Sequence, residues 1–198
     1  ILFYAVKKLS VSDQNKNIIL LISLVEMMTS IENTQFNPSI AALIILAFVM
    51  VEKEKDFWAT LFILIGFFVK VYGIVGICFF IFSRHKIKFI LSFVFWFMVL
   101  FFLPMIFSSF HFIVQSYPDW YHGLVVKNYK NEVDKGGIDL SVMGLLRRIF
   151  NFKNLNNITI LLPAAVFYII TALRFSQYKY LFFRLNFLAL VLIGTVIF

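Results

Sequence analysis

The sequence predicts an all-α membrane fold: a polytopic bundle of transmembrane helices, some short or broken, with one amphipathic external segment. Three observations carry this. Hydrophobic residues make up 62% of the 198 residues, against roughly 45–50% in an average soluble domain. A water-soluble fold this small has too much surface for its volume to hide so much apolar area, whereas a bilayer serves as apolar solvent. The mean hydropathy is +0.92, and the charged residues gather in short hinges between apolar runs. The formal charge of +8 therefore reads as membrane topology, not as a nucleic-acid surface.

The elements follow in order. Ile1–Val6 reads as the tail of a helix, and the chain as a single transmembrane domain, 1–198, cut at both ends. Apolar helices are expected near 17–29, 38–52, 57–82, 89–112, 158–174 and 180–198. A spanning helix needs about 20 apolar residues. The runs Ile18–Met28 and Pro38–Val51 are shorter, so they lengthen into their flanks or form a hairpin dipping into the membrane. Pro38 suits a first helical turn, where its missing N–H costs nothing. Glu52–Asp56 is a charged stop. Pro104 predicts a kink inside 89–112. The stretch 113–157 is expected to be an external loop, with an amphipathic helix near 140–150 lying on the membrane surface.

Sidedness follows from the positive-inside rule. The hinge 83–88 holds Arg84, Lys86 and Lys88. The connection 174–184 holds Arg174, Lys179 and Arg184. Neither contains an acid, so both are placed in the cytosol and 113–157 outside. Breaking 57–82 at Lys70-Val71-Tyr72-Gly73 puts that break and the turn 29–37 on the outer face as well, which is the arrangement favoured here.

Several residues stand out for chemistry. Lys70 interrupts an apolar run at a cost of about 2.5–3.5 kcal/mol. It either snorkels from a broken helix or contacts a phosphate-bearing carrier. Glu32, Gln35 and Asn37 sit in a polar turn between short helices, as caps or as donors and acceptors for a sugar. Trp120 belongs to an interfacial aromatic belt or to a substrate platform. Asp139 and Ser141 lie in the external stretch. Arg147 and Arg148 face headgroups, or clamp one lipid phosphate with bidentate guanidinium geometry. There is no Gly-rich phosphate loop, nucleophile elbow or metal-ligand spacing. The lone Cys78 forms no internal disulfide.

The order of these features resembles the multi-pass GT-C glycosyltransferases, and within them glycosyltransferase family 87. Thr34-Gln35-Phe36-Asn37 stands where the family has Gly-Gln-x-Asn. Lys70-Val71-Tyr72-Gly73 stands at a helix end where a proline-bearing break is usual. Arg84-His85-Lys86 matches a basic hinge. Trp120, Ser141, Gly144 and Arg148 fit an external Trp followed by a Ser-x-x-Gly-Leu-Leu-x-Arg-like helix. The resemblance spans roughly 17–150.

It implies transfer of a hexose, mannose-like, from a polyprenyl-phosphate carrier to a lipid or glycan acceptor on the non-cytosolic face of a bacterial inner membrane. Gln35, Asn37, Lys70, Tyr72, Arg147 and Arg148 would bind the donor, with Glu32, Trp120, Asp139 and Ser141 as further contacts. No cofactor or metal is implied. The partners are the polyprenyl-phosphate sugar, the acceptor and membrane lipids, with no nucleic acid. The general base is expected upstream of Ile1, on the first external loop. A multi-pass transporter or lipid flippase is the alternative, since broken helices and a membrane-depth lysine serve it equally.

Overall fold

The structure, a computed structural model, describes residues 1–132, 142–149 and 157–197. Among these residues every regular element is a helix: α1 (Leu2–Lys7), α2 (Asp13–Glu32), α3 (Asn37–Glu52), α4 (Asp56–Val69), a 3-10 helix (Val71–Phe82), α5 (Lys86–Phe102), α6 (Phe110–Glu132), α7 (Val142–Ile149), α8 (Asn157–Ala172) and α9 (Leu181–Ile197), with short 3-10 turns at Leu103–Ile106 and Phe175–Gln177. They gather into two compact units. The first is Ile1–Phe101 with Leu181–Leu192; the second is Phe102–Tyr180 with Ile193–Phe198.

In the first unit α3 is the centre. Its mean composition is apolar all round, and Ile40, Ala42 to Val49 and Val51 are all buried. That is the signature of a helix enclosed on every side. α1, α2, α4 and the 3-10 helix pack around it.

α2 is longer than its apolar run. Ser12 caps it, its Oγ accepting from the Asn15 N–H at 3.2 Å. Asp13 in the first turn pairs with Lys16 at 3.0 Å, and that ammonium holds the Asp13 carboxyl below its ordinary range. The polar flanks thus extend α2 to 20 residues, about 30 Å at 1.5 Å per residue.

The run 57–82 is two elements. α4 ends at Val69, Lys70 is extended (φ −146°, ψ 131°), and the chain resumes as a 12-residue 3-10 helix. A Cβ placed on Gly73 would lie 2.1 Å from the Gly66 carbonyl carbon, and one on Gly76 would lie 2.9 Å from Ile63 Cγ1. As numbering rises along one arm it falls along the other, so the two arms run antiparallel about Lys70. Glycine is required at the crossing because backbone meets backbone there. The 3-10 form follows from its stripe. Gly73, Gly76 and Phe79 are buried, a spacing of three that eclipses on a 3-10 helix and would drift round an α-helix. At about 2.0 Å per residue the 3-10 arm spans about 24 Å, close to the roughly 21 Å of α4.

Among the described residues, one helix is long and apolar enough to cross a membrane. Lys86–Ile106 is 21 residues, and only 11% of its most apolar window is buried. Shorter apolar helices are α3, α4, the 3-10 arm, Ile158–Ala172 and Leu181–Thr195. The expected 89–112 helix stops earlier. Pro104 lacks an N–H and disfavours α geometry in the residue before it, so α5 yields at Leu103 to a 3-10 turn ending at Ile106. The segment 113–157 opens inside α6, a 23-residue helix that keeps Pro118 inside it. α7 carries the strongly amphipathic segment.

Candidate functional site

The turn between α2 and α3 begins as a helix stop. Gln35 N donates to Ser30 O at 2.7 Å and Thr34 N to Ile31 O at 3.1 Å. Those two bonds make a Schellman motif, whose next-to-last residue sits in left-handed conformation. Thr34 occupies that position, at φ 51°. Glycine suits it and a β-branched residue does not, which gives a physical reason for the glycine in the Gly-Gln-x-Asn pattern.

The motif delivers Gln35 and Asn37 to the head of α3. Asn37 does not cap α3 with its side chain; Phe36 is the N-cap and no side chain bonds there. The Asn37 Oδ1 instead accepts from Lys70 Nζ at 2.5 Å, across 33 residues. Its Nδ2 donates to Gln35 Oε1 at 2.9 Å. Lys70 can only donate, so this polarity of the Asn37 amide is the one the chemistry demands. The result is a relay from Lys70 through Asn37 to Gln35.

Lys70 is held from its own backbone too. Its N–H donates to Gly66 O at 2.8 Å, closing α4, and its carbonyl accepts from Gly73 N at 2.9 Å. Nζ stands 6.0 Å from the centroid of the exposed Tyr72 ring. Lys70 is half-buried, while Gln35 and Asn37 are exposed. The unit therefore presents, at one end, an ammonium, two amides and a phenol ring on two adjoining turns. Such a set can meet an anion and several hydroxyls together.

Other residues singled out by sequence lie elsewhere. Glu32 is the exposed last residue of α2. Trp120 is exposed on α6, and Arg147 and Arg148 lie on α7, both in the second unit. Asp139, Ser141 and the side chains of Arg147 and Arg148 fall outside the described residues. No His/Cys/Asp/Glu group suited to a metal occurs among the described residues.

The opposite end of the first unit is ionic. The Arg184 guanidinium grips Glu52 with Nη2 to Oε2 at 2.9 Å and Nε to Oε1 at 2.8 Å. Arg84 meets Glu54 at 2.6 Å, with His85 Nε2 at 3.8 Å. Glu54 is the left-handed residue (φ 56°) of a second Schellman turn, with Lys55 N on Met50 O at 2.8 Å. Each basic hinge is free of acids in sequence, yet both meet the acidic stop 52–56 in space. The signal for this was the stop's own Glu-x-Glu spacing, which puts two carboxylates on one short turn.

The sequence model of glycosyltransferase family 87 matches residues 3–198. No curated protein and no solved structure matches the chain. The match runs past both limits of the motif resemblance and reaches every helix just described. The chain belongs to glycosyltransferase family 87.

Proposed function

We propose that the chain forms part of a multi-pass inner-membrane enzyme that moves a hexose from a polyprenyl-phosphate carrier to a lipid or glycan acceptor on the non-cytosolic face. On this reading Lys70 meets the lipid phosphate, and Asn37 and Gln35 hold sugar hydroxyls. The observation that supports it is the Lys70–Asn37–Gln35 relay, which joins two turns 33 residues apart around one cation. A compact ammonium in a site of low dielectric stabilises the charge that builds on a departing phosphate. Asn37 orients that ammonium by accepting one of its three N–H bonds. A carboxylate supplied from outside these residues deprotonates the acceptor hydroxyl, which attacks the anomeric carbon as the carbon–oxygen bond to phosphate breaks. Tyr72, beside Lys70, is a further donor contact.

The test is transfer from a polyprenyl-phosphate sugar by the complete enzyme in liposomes. Lys70→Met is expected to lower the rate by about 100–1,000-fold, the usual loss on removing one donor to developing charge. Lys70→Arg should recover part of it, since a planar fork replaces a point charge. Wild-type rates from well-folded Lys70→Met protein would remove Lys70 from the chemistry.

A further inference from the structure

We propose that the first unit binds one anionic phospholipid at the end opposite the Lys70 turn, headgroup in a basic cavity and acyl chain along α5. The cavity is about 770 Å³ and is lined by Arg84, His85, Lys86, Ile87, Lys88, Leu91 and Ser92. It is remote from the relay and has no part in the transfer reading.

Charge selects the headgroup. Arg84, Lys86 and Lys88 line the cavity. Arg84 is matched by Glu54. Lys86 is turned inward, its ammonium bonding the carbonyls of Phe80 and Ile81, the latter at 2.8 Å. Lys88 is exposed, and no acid pairs with it among the described residues. Lys88 thus presents a positive charge to the cavity, which a phosphodiester's single negative charge answers. The start of α5 lies in the same wall, and unpaired N–H groups of a first helical turn favour an anion.

Shape selects a lipid over free phosphate. Below the cavity, α5 has two faces. Phe89 and Ser92 are buried, and Trp96 Nε1 donates to Phe57 O at 2.9 Å, fixing the inner face. Ile87, Leu91, Val94 and Met98, at successive helical turns, form an exposed outer stripe. Ile87 and Leu91 belong to the cavity wall, so the stripe continues directly from it. An acyl chain hanging from a headgroup in the cavity would run down this stripe along the one helix, among those described, that is both long and apolar enough to cross a bilayer.

The experiment is native mass spectrometry of the full chain in detergent, titrated with phosphatidylglycerol, phosphatidylcholine or inorganic phosphate. One phosphatidylglycerol should be retained in preference to phosphatidylcholine. Lys88→Gln should weaken that retention about fivefold, the loss expected of one cation at an anionic lipid surface. Leu91→Ala should weaken retention of phosphatidylglycerol and leave inorganic phosphate unaffected. Lys53→Gln, on the exposed neighbouring turn, should change nothing. Equal retention of both lipids, phosphate binding as tight as lipid, or equal losses from Lys53→Gln and Lys88→Gln would each overturn the assignment.

Discussion

At the scale of single residues, Thr34 is where sequence and conformation disagree. A β-branched residue at φ 51° carries a local cost of about 1–2 kcal/mol. Thr34→Gly should therefore raise thermal or denaturant stability by about 1 kcal/mol, despite the added freedom glycine gives the unfolded chain. Chemical denaturation in detergent would measure it, and a loss of stability would mean that the threonine side chain makes a compensating contact. Asn37 predicts a different pattern. It bridges Lys70 and Gln35 but does not cap α3. Asn37→Ala should thus lower transfer well beyond its effect on folding, whereas a mere cap would lose about 1 kcal/mol of stability and little else.

At the scale of elements, the hairpin of α4 and the 3-10 arm rests on close backbone contact. Substitutions should rank by what a new Cβ meets. Gly73→Ala faces backbone at 2.1 Å, whereas Gly66→Ala first meets Gly73 Cα at 3.2 Å. Gly73→Ala should cost about 1–3 kcal/mol, as overpacking does, and Gly66→Ala clearly less. Equal stabilities on a denaturant series would refute the crossing. Much of this hairpin was legible beforehand: a lysine inside an apolar run marked the break, because no helix leaves an ammonium in lipid without cause. The 3-10 form was not anticipated, although the Gly73, Gly76, Phe79 spacing spelled it out. Pro104 marks a disturbance in the sequence, but a kink and a stop look alike until the following residues find or lose their partners.

At the scale of the molecule, the first unit has two unlike ends. One carries the amide–ammonium relay, the other the clasps Glu52–Arg184 and Glu54–Arg84. Our topology makes the relay end external. In a Cys78→Ala background, cysteine at exposed Asn33 should react with an impermeant maleimide from outside, and cysteine at exposed Lys53 only after permeabilisation. The reverse pattern would invert the assignment. Ser83, also at this end, is buried and would not report sidedness. Sequence located the cationic hinges but not their acidic partners, because charge counting is local and Glu52 reaches Arg184 across 132 residues. It likewise proposed the members of the relay without their hydrogen bonds: Lys70 and Asn37 meet only because α3 and α4 form a hairpin of matched length.

The Glu52–Arg184 clasp also sets a clock for biogenesis. A ribosome adds about 5–20 residues per second, so the 132 residues between the partners occupy roughly 7–26 s of synthesis. For that interval Glu52 has left the insertion machinery and Arg184 does not yet exist. The nascent hairpins must hold their orientation without the clasp, and an unpaired carboxylate stands where chaperones and membrane proteases can sense it. Nascent chains stalled before residue 184 should then be degraded faster than chains stalled after α9 has emerged. Glu52→Gln should narrow that difference, because it removes the waiting charge together with the lock.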